Sequence, residues 1–266
     1  MPPKYINKLE GKSILVVGGT SGIGFAIAEA CVEFGARVVV ASRTREKIDH
    51  AIRRLIEAYP EAAGRVRGYI VDLHSDDCET GITALFEFVT HGGRDPVDHV
   101  AETAGEVFSG SMALRDATPA GIADFCRTRF IGAAVLAKVA ERYIRRAHTS
   151  SFTMTCGAGA FKPVPGFVVG ASVSGAKDAL ARSLAVEMKP VRVNVVSAGA
   201  VRTELLEHTT MNLGIEQEAA MDMFRGVSLL DRVGDPEDLA ETYLSLMRNH
   251  FVTGITVQVD GGMVLK

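Results

Sequence analysis

Gly18-Gly19-Thr20-Ser21-Gly22-Ile23-Gly24 lies between an apolar run, Ser13–Val17, and a helical pattern that opens at Gly24. Glycines at 18, 22 and 24, in GxxxGxG spacing, let a backbone approach a pyrophosphate closely. The helix that follows presents unpaired N–H groups and the positive end of its dipole. Thr20, Ser21 and Ile23 complete this predicted cradle. The second apolar run ends in Ser42-Arg43, where a carboxylate would hold the ribose hydroxyls of NAD. Arg43 with Ser42 instead suits a 2′-phosphate through charge-assisted hydrogen bonds, so NADP(H) is the expected cofactor. Asp72, next to Leu73 at the close of the third run, either accepts from the adenine amino group or caps the next turn. The four cysteines stand far apart with no CxxC pair, and the seven histidines are scattered, so neither a disulfide frame nor a metal site is expected.

These residues need elements to position them, and the chain alternates short apolar runs with longer amphipathic stretches. Strands are predicted at Ser13–Val17, Arg37–Ala41, Gly68–Val71, His99–Ala101, Ser151–Thr155, Val191–Val196 and Thr256–Val259. Helices are predicted at Gly24–Phe34, Thr44–Tyr59, Asp77–Thr90, Pro119–Arg146, Ser174–Met188 and Pro236–Arg248. Such alternation predicts an α/β fold: a doubly wound, parallel, seven-stranded sheet with helices on both faces. No linker interrupts the 266 residues, which read as one domain. Residues 202–232 depart from the alternation. Their Met211, Leu213, Met221, Met223 and Phe224 belong either to a surface helix burying its apolar face or to a flexible lid over an apolar substrate. A formal net charge of −3 leaves no electrostatic footprint for nucleic acid. The N-terminal stretch has no apolar h-region and no apolar run approaches the roughly 20 residues of a membrane span, so a cytosolic protein is expected.

With the glycine loop and Asp72 in place, the chain resembles the short-chain dehydrogenase/reductase family along almost its whole length. Glu102-Thr103-Ala104-Gly105 is similar to the family's NNAG motif, retaining only its end. Arg192–Gly199 is similar to its RVNxVSPG strand, with Ala198 in place of proline. The segments from Arg232 to Asp238 and from Val252 to Gly262 look like its C-terminal signatures. The resemblance implies that Ala104 and Gly105 line the cofactor, that Val201 and Thr203 meet its carboxamide and phosphate, and that Lys177 holds the nicotinamide ribose. It also implies a homodimer or homotetramer, paired through the helices containing Ala133–Ala137 and Ala179–Ala181.

The family's catalytic set is Asn, Ser, Tyr and Lys, and only Lys177 is retained. The tyrosine position is Val173, the serine position falls on Thr155-Cys156, and the asparagine position is Arg129. Tyr69 and Tyr143 read as packing residues, and no Asp or Glu occurs between Ser150 and Lys177. A ketone reduced here lacks an evident acid, and general acid catalysis is worth about 10²–10⁴-fold. An iminium needs no proton on taking up hydride. Arg129 either holds a substrate oxygen or makes a structural contact between helices. Arg129-Phe130-Ile131-Gly132 together with Val173 resembles a tyrosine-less subgroup. Its fungal members are NADPH-dependent reductases that also guide an intramolecular Diels–Alder closure in prenylated indole alkaloid pathways.

Three readings follow: a reductase for a large apolar imine or iminium, with Val173, Arg129, Phe167, Met211, Met221 and Phe224 around the substrate; a ketoreductase drawing its proton from Lys177, water or Thr155; or a non-catalytic NADP-binding protein.

Overall fold

The computed structural model describes residues 4–106, 113–212, 214 and 216–266. Seven strands, β1 (Ser13–Val17), β2 (Arg37–Ser42), β3 (Val66–Ile70), β4 (His99–Glu102), β5 (Ser151–Gly157), β6 (Arg192–Ala198) and β7 (Thr256–Val259), form one sheet. Their order is β3-β2-β1-β4-β5-β6-β7, and all neighbouring pairs are parallel. The helices are α1 (Gly22–Glu33), α2 (Arg45–Ala58), α3 (Cys78–Val89), α4 (Pro119–Cys126), α5 (Ala133–Tyr143), α6 (Val168–Glu187), α7 (Glu204–Asn212), α8 (Gln217–Val227) and α9 (Pro236–Arg248). One face of the sheet is sealed by α1, α2 and α9, the other by α3, α5 and α6. Covered on both faces, β1 reads Ser-Ile-Leu-Val-Val with every residue buried, as a central parallel strand requires. From β1 the chain works outward to β3 and then crosses back to β4. This reversal opens a crevice beyond the carboxyl ends of β1 and β4.

Two helix boundaries differ from expectation, and both shape the site. The single helix expected over Pro119–Arg146 is instead α4, a π-helical turn at Arg127–Gly132, and α5. Thr118 caps α4 by accepting from the Gly121 N–H at 3.1 Å. At the far end of the turn Gly132 packs so tightly that a Cβ there would lie 2.7 Å from Leu73. The wider turn shifts the helical phase between α4 and α5, and Arg129 lies within it. The second difference is α6, which begins at Val168, six residues before the expected Ser174, so that Val173 and Lys177 sit at i and i+4 on one helical face. The start of α9 is as expected: Pro236 occupies the first turn, and Asp238 accepts the Asp235 N–H at 2.8 Å.

The sheet also buries a histidine. His99, beside Ser151 in the β4–β5 register, lies 2.9 Å from its hydroxyl and is pushed down to about 3, first by desolvation and then by the Arg192 charge. The unfolded chain takes up this proton near pH 6.5, so the stability is complete above that pH and drains as pH falls toward about 3. Between pH 6.5 and 5 the loss should be about 2 kcal/mol. Urea denaturation of wild type and His99→Gln across this range measures it; an equal pH response in the two proteins would refute the assignment.

Candidate active site

The cleft beyond β1 and β4 is lined by the residues that the sequence nominated for a nucleotide. Gly18, Thr20, Ser21, Gly22, Ile23, Gly24, Ser42, Arg43, Asp72, Leu73, Ala104, Gly105 and Thr203 all face it. Gly18 adopts a φ of +85°, and a Cβ on Gly24 would collide with the Gly18 carbonyl oxygen. The turn therefore requires both glycines. No acidic residue lies in the first turn of α1 itself; the carboxylate beside its N-terminus is that of Glu204 in α7, which comes close to Gly22 and lines the cleft. Thr203 folds α7 against this loop: its hydroxyl donates to the Val201 carbonyl and accepts the Leu206 N–H, while its methyl packs at Gly22. A dinucleotide fits this donor set.

Around Arg43 the structure adds a cluster that sequence reasoning missed. Arg43 pairs with Glu106 at 2.7 Å, and the same carboxylate meets His74 Nδ1 at 2.8 Å and accepts the Thr128 hydroxyl at 2.7 Å. Burial raises the Glu106 pKa, but Thr128, His74 and Arg43 together hold it below the ordinary value. Lys47 is a further cation on the cleft wall, and the Thr20 hydroxyl donates to Ser42 at 3.2 Å. Asp72 accepts the His74 N–H at 2.9 Å, which is the turn-capping alternative of its two readings.

A second cluster of polar side chains is built from β4, β5, α6 and the π-helical turn. Lys177, 3% exposed, donates to Glu102 Oε2 at 2.5 Å and to the Thr155 carbonyl at 2.9 Å. Glu102 is fully buried, and its Oε1 has no hydrogen-bond partner among the described residues. Desolvation raises its pKa, opposed by Lys177, Arg129 and the Ala104 N–H. The sequence did carry a signal for Glu102, namely a carboxylate where the resembling motif has an amide. Thr155 corrects an expectation. Its hydroxyl turns to the α9 face, 2.7 Å from the Tyr243 hydroxyl and 3.1 Å from the Glu102 carbonyl, because strand residues alternate sides. Cys156 therefore takes the Lys177 side, packed in the core with α5 and α6. Burial pushes its thiol up to about 11, so it remains protonated.

Val173 lies in an apolar cluster with Phe125 and Val169, flanked by Ala117, Cys126 and Phe130. Arg129 stacks over the Phe125 ring at 4.6 Å and donates to the Glu106 carbonyl, in the loop after β4, at 2.6 Å. Burial lowers its pKa, and the charges of Glu106 and Glu102 oppose that shift. Its guanidinium lies beside Gly105, which lines the cleft. Tyr69 and Tyr143 pack against Phe88 and Phe86, as expected.

The segment 202–232 folds as α7 and α8, and only part of it behaves as expected. Thr203, Glu204 and Leu205 reach the nucleotide cleft. Met211 is 65% exposed, and neither Met211 nor Met221 lines this cleft or the adjoining cavity. That second cavity, of about 320 Å³, takes Val201 and Phe224 together with Leu239 and Met263. Val201 thus borders the adjoining cavity rather than the cleft. Phe167 covers Gly159 and Gly170 at the start of α6. Leu213 lies outside the described residues. Among the described residues there is no cluster of metal-ligating side chains, and no helix is long and apolar enough to cross a membrane.

Comparison with known proteins agrees with this geometry. Residues 5–266 match the family described as SDR-like rossmann domain. The short-chain dehydrogenase/reductase ucsE of Acremonium sp is 38% identical, covering 100% of both chains. The short-chain dehydrogenase/reductase malC of Malbranchea aurantiaca is 33% identical over 97% of this chain and 96% of its own. The solved structure of the MalC Reductase/Diels-Alderase from that organism superposes with a TM-score of 0.88 over 98% of this chain and 99% of its own.

Proposed function

Because the chain belongs to the short-chain dehydrogenase/reductase family, we propose that it transfers hydride from NADPH to a large apolar substrate whose acceptor carbon is an imine or iminium. A Diels–Alder type cyclisation of the reduced product inside the same apolar walls completes the reaction. The observation that carries this reading is Val173: where the family pattern has a proton donor, this site has a buried side chain packed on Phe125 and Val169. An iminium becomes a neutral amine on accepting hydride and needs no proton there. The turn of the Thr155 hydroxyl toward Tyr243 withdraws one of the proton sources on which ketone reduction would draw, leaving Lys177 and water. Glu102 and Glu106 offset the positive charge of Arg129, which would otherwise repel a cationic acceptor.

NADPH, when bound, supplies the hydride. The glycine loop and the start of α1 hold its pyrophosphate, Ser42, Arg43 and Lys47 its 2′-phosphate, and Lys177 its nicotinamide ribose. Arg129 orients a substrate oxygen with the donors it does not give to Glu106. Homo-oligomer pairing through α5 and α6 would have to use exposed Val186 and Val168 on α6 and Ile131 beside α5, since Ala133, Leu136, Ala137 and Ala181 are buried in the chain's own core. The likeness of Arg129–Gly132 and Val173 to reductases of prenylated indole alkaloid pathways makes such precursors the first substrates to try.

The test is the loss of NADPH absorbance with a cyclic iminium and with a ketone of the same skeleton. The iminium should give a kcat/KM at least about 10²-fold higher, the lower bound for a missing general acid. Preference for the ketone would refute the proposal. NADPH binding without hydride transfer to either substrate would instead favour a non-catalytic nucleotide-binding protein.

A further inference from the structure

Beyond its share in offsetting the charge of Arg129, Glu102 is a buried titratable group that the hydride transfer itself does not use. It closes β4 after Val100 and Ala101, small apolar residues of the kind that packing alone selects. A carboxylate and an ammonium of similar bulk gain little stability over two apolar side chains here, because each charge must be stripped of water. Yet the pair is kept, at 2.5 Å, with one carboxylate oxygen unpartnered. The Lys177 ammonium has three N–H directions. Glu102 takes one and the Thr155 carbonyl takes a second. On the helix side, one turn before Lys177, Val173 offers no hydrogen bond. The ammonium is thus aimed entirely from the strand ends, by the Thr155 carbonyl and by a side chain 75 residues earlier in the chain.

We infer that Glu102 is a positioning residue: together with the Thr155 carbonyl it fixes two of the N–H directions of Lys177, so that the third serves a hydroxyl of the nicotinamide ribose. This rests on the reading that Lys177 meets the cofactor. Glu102 precedes Thr103, Ala104 and Gly105 on the cleft wall, so a change in its pose is transmitted to the same surface. Around the pair stand Arg129 from the π-helical turn, Cys156 from β5 and Tyr243 from α9. None of these supplies a second negative charge at neutral pH.

The experiment is a double-mutant cycle on NADPH affinity, read from the fluorescence of the bound nicotinamide, which no tryptophan of this chain obscures. Lys177→Met should raise Kd roughly tenfold, the scale of one charge-assisted hydrogen bond. Glu102→Gln should raise it by a similar factor, and Glu102→Asp, which keeps the charge, should stay within about threefold of wild type. The double variant Glu102→Gln/Lys177→Met should bind no more weakly than Lys177→Met alone. If Lys177→Met leaves Kd unchanged, the reading of Lys177 at the cofactor fails and the inference fails with it. If Lys177→Met weakens binding but Glu102→Gln does not, only the role of Glu102 is overturned. A further tenfold loss in the double variant also overturns it, because Glu102 would then act independently of Lys177. Should Glu102→Gln not fold, Glu102→Met/Lys177→Met against Lys177→Met decides by the same criterion, since an apolar pair leaves no buried charge.

Discussion

Lys177→Met is expected to lower the unfolding free energy by about 3–5 kcal/mol, because it leaves Glu102 buried without its counter-charge. Both side chains are almost wholly removed from water, at 4% and 0% exposure, so solvent screening offers little relief. Losses of this size correspond to a fall in Tm of roughly 6–20 °C for a domain of this length. The pH dependence has a definite sign. Burial already raises the pKa of Glu102, and Lys177 is the largest influence opposing it. Without Lys177 the carboxyl takes up a proton more readily, and a neutral carboxyl costs less to bury. The destabilisation should therefore be smaller at pH 6 than at pH 8. Glu102→Met/Lys177→Met should recover most of the loss, since replacing both members of a buried pair by apolar groups is often neutral. Urea denaturation of the three proteins at the two pH values measures all of this. A single variant within about 1 kcal/mol of wild type, or a double variant no more stable than the single, would show that the pair is not a buried ion pair in solution.

Arg43→Ala is expected to weaken NADPH binding by about 10–100-fold while changing NADH affinity less than about threefold, because the lost hydrogen bonds are to a charged phosphate. The contact of Arg43 with Glu106 complicates this in a measurable way. The carboxylate occupies the guanidinium that a 2′-phosphate would use, and it is itself held by Thr128 and His74. Glu106→Gln should therefore tighten NADPH binding, by roughly the fewfold that an exposed ion pair is worth, and leave NADH nearly unaffected. Calorimetric titration of both nucleotides against the two variants separates the contributions. Equal losses for NADPH and NADH in Arg43→Ala would remove the phosphate assignment.

Several parts of this protein are determined by short-range physics and were therefore legible in the sequence. The GxxxGxG turn is one, because a φ of +85° at Gly18 and the contact between Gly18 and Gly24 are settled within a few residues. The central strand β1 is another, since a strand buried on both faces favours a near-continuous apolar run such as Ile14–Val17. The absence of a tyrosine at Val173 was also visible, as it is a matter of residue type. Tertiary structure decided the rest. Whether Thr155 or Cys156 faces Lys177 depends on the side-chain alternation of β5, which the register with β4 and β6 sets. The phase of Arg129 depends on a π-helical turn whose packing is against Leu73, on a different element. The pairing of Glu102 with Lys177 exists only because β4 and α6 meet at the strand ends. Between those two positions lie 75 residues of chain, and no local pattern links the charges. Local backbone constraints write themselves into neighbouring residues, whereas a buried charge finds its partner only when the sheet has been assembled.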